Sequence, residues 1–492
     1  MTARARWWAL TAVSLATLMT YLDNNVINVA IPTIQHSLHL SVSGLEWIVS
    51  SYLLVLAGLL LAGGRVADIY GRRRVFLAGL VIFTLSSLAA GLAGSGGFLI
   101  GARAVQGLGG ALLMPAALAI ITHVFTDVRE RTMAIGVWGA VSALGLALGP
   151  VIGGVISQHV HWGWIFLINV PLGAITFAIA APSVPESRAE GQSRRLDVPG
   201  LVISALALFA LTYALIEGPD SGWTSPRIVA SFAVAALAGA VFLAVEARGQ
   251  QPMVPLGIFR NRAFSGGIVT MMIWGFGILG IYFFTSLYLQ RILGFSPTKA
   301  GLAFVPMALT IAVAATLAPR VTALIGGHRT VSFGLLLMLA GLIMIARLGV
   351  GIGYGSLMPG FLLFGVGAGL MNVPLTNEVL ESSPTGQAGI ASALLNDSRE
   401  VAGLLGITVI GAVLSTRETS ALRVGVPAHQ AFIDGYHTGI WVAIGLLAVG
   451  VVLSYVSLRP RPAAQGELPE ASEAVAVAQE LEALEAEDVR PV

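Results

Sequence analysis

Residues 8–32 read WALTAVSLATLMTYLDNNVINVAIP. A helix of that length can cross a bilayer, yet this one carries an aspartate, Asp23, well inside it. A carboxylate near the centre of a spanning helix costs roughly 2.5–3.5 kcal/mol on insertion scales, so such an acid is expected to face a cavity and to mark an ion, proton or substrate route. The chain around Asp23 decides which.

Of 492 residues, 56% are hydrophobic and 11% are charged, against about 25% charged in soluble domains; the mean hydropathy is +0.85. These values describe a polytopic, all-α membrane protein. Apolar windows place fourteen spans near residues 8–32, 45–64, 75–94, 97–121, 133–157, 164–181, 198–217, 227–247, 264–289, 299–318, 331–347, 355–377, 387–413 and 438–458. With the N-terminus in the cytoplasm, 19 of the 27 Arg and Lys fall in cytoplasmic segments, six outside and two, Arg103 and Arg399, within spans. That bias favours both termini inside. No cysteine is present, which excludes disulfides, thiolate metal sites and thiol nucleophiles.

The chain repeats itself. Residues 65–74 align with 320–329 at an offset of 255, sharing Arg, Val, Gly and a final Arg, and 103–115 align with 362–374 at 259. Two six-span halves, 1–181 and 263–458, are expected, joined by a linker with two extra spans (182–262) and followed by an acidic tail (459–492). In this alignment Asp23 faces Ile278 and Asp68 faces Ala323, so the charged chemistry sits in the first half.

Residues 64–74, Gly-Arg-Val-Ala-Asp-Ile-Tyr-Gly-Arg-Arg-Arg, resemble the signature loop between spans two and three of the major facilitator superfamily. Arg103 to Gly109 is similar to its fourth-span motif, and Gly145 to Gly154 to the fifth-span motif associated with antiporters. Leu22-Asp23 with Asn28, Ala30 and Pro32, and Trp164 to Pro171, resemble patterns of the fourteen-span drug:proton antiporters. The resemblance covers roughly residues 8–458. It implies a bacterial cytoplasmic-membrane transporter, expected to be monomeric, whose partners are a small hydrophobic substrate, the proton and the lipid bilayer. No cofactor, metal or nucleic acid is implied.

The residues carry their own readings. Asp23 is the expected proton site, flanked by Asn24, Asn25 and Asn28, which with Gln106 are expected to line the substrate cavity. An ionised Asp23 would attract a cationic substrate or an arginine, and protonation would cancel that attraction. Arg103 is an always-charged group within a span and needs acceptors; the resemblance implies a role in proton transfer, and a structural role is the alternative. Asp397, beside Arg399 and Glu400, is a second candidate proton or substrate site, or part of a structural network; residues at i and i+2 do not share a helix face, so Asp397 or Arg399 is expected to find partners elsewhere. Glu46 reads either as an acid at a helix N-terminus or as an outer proton entry. Gly64, Asp68, Gly71, Arg72 and Arg73 are expected to act in conformational change, with Asp68 capping the next helix or pairing with an arginine across the interface of the halves. Gly145, Gly149, Gly153 and Gly154 recur at helical spacing around Pro150, which suits a bending and sealing element or plain close packing. Trp274 and Tyr282 fit an aromatic drug pocket as well as lipid anchoring.

Enzyme signatures are absent: there is no H-E-x-x-H, no G-x-S-x-G, and the only lysine, Lys299, lacks P-loop glycines. Work must then come from an ion gradient. Proton-driven efflux of hydrophobic compounds by alternating access is the expected function, with a metabolite symporter of the same fold, or a non-transporting receptor, as alternatives.

Overall fold

The computed structural model describes residues 3–188, 197–249, 252–347, 353–384 and 387–459. Residues 189–196 and 250–251 of the expected linker, and all but the first residue of the expected acidic tail, lie outside them. Sixteen α-helices are present among the described residues. The first seven are α1 (Ala3–Leu38), α2 (Val42–Tyr70), α3 (Arg72–Gly91), α4 (Gly96–Val124), α5 (Val128–His159), α6 (Trp164–Leu167) and α7 (Asn169–Ser183). Next come α8 (Val198–Ser221) and α9 (Pro226–Arg248). The remainder are α10 (Arg262–Arg291), α11 (Pro297–Ala303), α12 (Val305–Ile325), α13 (Gly327–Ala346), α14 (Tyr354–Glu381), α15 (Ala388–Arg423) and α16 (Ala428–Ser457).

Among the described residues, thirteen segments are long and apolar enough to cross a membrane, with α6–α7 and α11–α12 each running as one. α1, at 36 residues, is the fourteenth crossing helix; the polar run Asp23, Asn24, Asn25 and Asn28 dilutes its hydropathy. Helix starts follow the side chains that satisfy free backbone N–H groups. Ser41 accepts from Gly44 N at 3.1 Å, Asp127 from Glu130 N at 2.9 Å and Asp197 from Gly200 N at 2.9 Å.

In the N-terminal group α1 packs on α5, α2 on α4, and α3 on α4 and α7. In the C-terminal group α10 packs on α15 and α16, α12 on α14, and α13 on α14 and α16. α8 and α9 form a hairpin whose α8 leans on both α2 and α15. Small residues set the spacing, since helices approach most closely where no side chain intervenes: a Cβ on Gly334 would meet the Gly367 carbonyl, and one on Gly367 the Gly334 carbonyl. The turns before α3 and α13, equivalent positions of the repeat, both use a left-handed glycine, Gly71 at φ 112° and Gly326 at φ 87°, a conformation that costs other residues energy.

The two groups meet most closely at the end away from the Gly71 turn. There Gly154 of α5 abuts the Pro297 carbonyl of α11, and Gly301 of α11 abuts the Pro150 carbonyl. Thr298 N donates to Gln158 Oε1 at 3.1 Å, and Thr298 Oγ1 to the Gly154 carbonyl at 3.2 Å. Gln290 Nε2 donates to the Val29 carbonyl at 3.0 Å, and Arg291 Nη2 to Gln35 Oε1 at 2.6 Å.

Candidate functional site

Asp23 sits inside the N-terminal group, fully enclosed, rather than on a cavity wall. The charge is compensated. Arg103 Nη1, on α4, donates to Asp23 Oδ2 and to Gln106 Oε1 at 2.7 Å. Gln106 Nε2 donates to Asp23 Oδ1 at 2.8 Å and to Ser87 Oγ at 2.7 Å, and Asn169 Nδ2 donates to Asp23 Oδ1 at 2.9 Å. Arg103 Nε reaches the Ile48 carbonyl at 3.3 Å, and the guanidinium carbon stands 4.3 Å from the centroid of Tyr52 and 5.5 Å from that of Phe166. Asp23, Ser87, Arg103, Gln106 and Asn169 are all buried. Five helices, α1, α2, α3, α4 and α7, thus contribute to one buried cluster around the carboxylate. Both Asp23 oxygens are hydrogen-bonded, which offsets part of the cost of burying the pair, while Arg103 Nη2 and Asn169 Oδ1 have no partner among the described residues.

A second ionic pair lies on α15. Arg399 donates to Glu400 Oε1 from Nε at 3.1 Å and from Nη2 at 2.7 Å. Its Nη2 also donates to Tyr21 Oη on α1 at 3.0 Å, which ties the C-terminal group to the N-terminal one at mid-depth. Arg399 therefore finds its acid at i+1, by wrapping a long side chain around its own helix, and its other partner across the interface. Asp397 Oδ1 is buried without a partner among the described residues.

Glu46, in the first turns of α2, is almost wholly buried. Its carboxylate lies against Gly411 of α15, at the junction of both groups with α8. The acids of α8 are close by: Trp47 Nε1 donates to Glu217 Oε1 at 2.8 Å, and Ser43 Oγ to Asp220 Oδ2 at 2.8 Å.

The loop before α3 is bound within its own group. Arg72 Nη2 pairs with Asp68 Oδ1 at 3.0 Å, Arg72 N donates to the Ser187 carbonyl at 2.9 Å and Arg73 N to Glu186 Oε1 at 3.2 Å. Asp68 neither caps α3, which has no side-chain cap, nor pairs across the interface; it holds the arginine four residues on. The glycine face of α5 splits its contacts. Gly145, Gly149 and Gly153 take Tyr21, Asn25 and Val26 of α1, while Gly154 takes Pro297 of the other group.

Residues 13–407 match the Major Facilitator Superfamily model. This chain belongs to that superfamily. It is 36% identical over 480 residues, covering 95% of this chain and 94% of the relative, to the puromycin resistance protein of Streptomyces alboniger. It is 35% identical over 451 residues, covering 90% and 84%, to the tetracenomycin C resistance and export protein of Streptomyces glaucescens. Its fold matches a bacterial homologue of the human lysosomal transporter Spinster, solved inward-facing and unoccupied, with a TM-score of 0.65 at 17% identity over 94% of this chain and 100% of that one. Like its superfamily, the chain is a transporter and not an enzyme.

Set in that superfamily fold, the residues singled out by sequence fall in separate places. Asp23, Arg103 and Gln106 form one buried cluster, so Gln106 is a partner of the acid rather than a cavity-lining group. Asn25 and Asn28 are buried and Asn24 is partly exposed; Asn25 Nδ2 donates to the Tyr21 carbonyl at 2.7 Å. Tyr282 is buried within the C-terminal group, stacked on Phe304 at 4.5 Å, and the partly buried Trp274 donates to the Ala368 carbonyl at 3.3 Å. Gly64 approaches Pro115 across α2 and α4. Reasoning from sequence missed Ser87, Asn169, Tyr52 and Tyr21. Only Asn169 stood inside a quoted motif, Trp164 to Pro171.

Proposed function

We propose that this chain is a proton-coupled efflux antiporter that exports hydrophobic small molecules, antibiotics or drugs, across a bacterial cytoplasmic membrane by alternating access. The observation that carries the reading is the enclosed Asp23–Arg103 pair. Removing one partner of a buried pair costs about 3–5 kcal/mol. Protonating Asp23 removes its charge while Arg103 keeps its own, so the N-terminal group must rearrange or release the proton. That is the property a coupling site needs.

The relatives support export: one is named for resistance and export, another for resistance. With the arginine bias placing both termini inside, the end sealed by Gly154 and Pro297 faces outward and the Gly71 loop faces the cytoplasm. The structure then corresponds to an inward-facing state. Two six-helix halves rocking about the extra α8–α9 hairpin would exchange it for the outward one, and the chain works as a monomer. One proton moving inward supplies about 1.4 kcal/mol per pH unit and about 2.3 kcal/mol per 100 mV, enough together for a concentration ratio of roughly a hundredfold or more. The experiment is substrate-induced pH change in vesicles, with Asp23→Asn expected to abolish it; proton-coupled efflux that survives the substitution overturns the assignment.

A further inference from the structure

Glu46 sits where three parts of the fold meet: α2 of the N-terminal group, α15 of the C-terminal group and α8 of the extra hairpin. Only 2% of it is exposed. Its whole carboxyl group, Cδ and both oxygens, is what a Cβ on Gly411 would strike, so it lies against the α15 backbone across the boundary between the two groups. Among the described residues no hydrogen bond and no ion pair reaches either oxygen. The side chains flanking Glu46 bring acids instead of donors. Ser43 Oγ holds Asp220 Oδ2 at 2.8 Å, and Trp47 Nε1 holds Glu217 Oε1 at 2.8 Å. A carboxylate shut away from water with neither donor nor cation costs far more than the neutral acid, and neighbouring acids add repulsion.

We propose that Glu46 is a second proton site, separate from Asp23, whose proton seals the outer end: the carboxyl group is neutral while Gly411 covers it and ionises when α2 and α15 part there. The inference rests on the alternating-access reading above and adds an outer, regulatory proton to it. The end concerned is the one held shut by Thr298 on Gly154 and by Arg291 on Gln35, since α2 starts at Val42, just past the end of α1 at Leu38. Closing takes up a proton from the outer side, and opening returns it to the same side. This proton is not carried across; it sets how readily the outer end closes. Above the ordinary glutamate range, each unit fall in outer pH moves the closed-to-open ratio up to about tenfold toward closed. An acidic exterior thus returns the carrier to the conformation that loads from the cytoplasm.

The charged groups on the elements packed around Glu46 leave it without a cation. α8 brings Glu217 and Asp220. On α15, Arg399 and Glu400 pair with each other deeper in the membrane, while Arg417 and Glu418 lie nearly two turns beyond Gly411. α4 brings Arg103, which reaches the Ile48 carbonyl but is held by Asp23 of α1. α3 carries its arginines, Arg72 to Arg74, at the opposite end. His36 near the end of α1 and His39 in the turn before α2 are both exposed.

Two measurements test it. Ser286→Cys places the chain's single thiol beneath Gln290 at the sealed end, where maleimide labels it when that end opens. Labelling rates in proteoliposomes are compared between this parent and the parent carrying Glu46→Gln, at each pH from 8 to 6. The titrations of the thiol and of Asp23 are common to both and cancel in the ratio. The ratio of parent to Glu46→Gln should fall at least about fivefold from pH 8 to pH 6; a ratio that does not change with pH overturns the proposal. Thermal unfolding is the second measurement. Glu46→Gln should melt above wild type at pH 8, where burying Glu46 draws a proton from solution, and the margin should close as the pH falls toward 5. A margin independent of pH overturns the proposal. Should Glu46→Gln not fold, Glu46→Met, also uncharged and of similar length, carries both comparisons. A wild type with no substrate-induced pH change in vesicles, but with a labelling ratio that still falls, overturns the antiporter reading and leaves the outer proton supported.

Discussion

Gly154→Ala separates a gate from mere packing. Gly154 abuts the Pro297 carbonyl of the other group, and its own carbonyl accepts from Thr298 Oγ1 at 3.2 Å. A methyl group there cannot fit without movement of backbone, and overpacking of this kind costs about 1–3 kcal/mol. If α5 and α11 part at this end in the alternate conformation, the cost falls on the closed state alone. A differential of about 1–3 kcal/mol shifts a two-state equilibrium about 5–150-fold. Gly341→Ala is the matched control, because its methyl group meets the Gly360 carbonyl within the C-terminal group and burdens both states equally. The chain has no cysteine, so one near-isosteric Ser286→Cys reports opening. Ser286 is fully buried beneath Gln290, whose Nε2 lies 3.3 Å from its hydroxyl. Maleimide labelling should accelerate at least about fivefold in Gly154→Ala and stay at the parent rate in Gly341→Ala. Equal labelling in the two variants, with melting lowered in both, would refute the gating argument and leave only packing.

Arg103→Gln should destabilise the chain by about 3–5 kcal/mol by leaving a buried carboxylate uncompensated, and adding Asp23→Asn should recover part of the lost melting temperature; a double variant less stable than Arg103→Gln refutes the pairing argument. Glu46→Gln should raise the melting temperature, since an amide of the same shape against Gly411 avoids the cost of burying a carboxylate there and removes like-charge repulsion from Asp220 and Glu217. Asp68→Asn breaks a pair whose side chains are 28% and 19% exposed; its stability cost should stay under about 1 kcal/mol while transport in vesicles falls sharply, and unchanged transport would mean the pair is only structural.

What sequence could and could not convey follows from distance along the chain. Spans were legible because hydropathy is a local sum, and Asp23 and Arg103 stood out because a charge in an apolar helix is costly wherever it sits. Their pairing was not legible: the two lie 80 residues apart, and only the packing of α4 against α1 brings them together. Ser87 carried no signal, being one of two serines in an unremarkable third span. The break between α11 and α12 at Phe304 was hidden, as Pro306 lies in the first turn of α12, where proline is tolerated. Nor could sequence say which acid serves Arg399. Helix geometry argues against i+2, but a neighbour at i+1 becomes reachable for a side chain as long as arginine.

α1 brings the two ionic pairs into one mechanical element. Successive residues of a helix turn by about 100°, so Tyr21 and Asp23 point to nearly opposite sides: Tyr21 toward Arg399 of the C-terminal group and Asp23 into the cluster around Arg103. On the proposed reading, a proton taken by Asp23 would therefore arrive one helix diameter from the contact that ties the other group to α1. The glycine face of α5 lets α1 respond, because Gly145, Gly149 and Gly153 offer backbone where side chains would interlock and permit small shifts along the contact. A helix clamped by interdigitating side chains on that face would hold Asp23 just as well and transmit nothing. On the proposed reading, the glycines of α5 and the acid that would take the proton belong to one device, in which the smooth α5 surface would let a charge change on α1 reach the partner group as a movement.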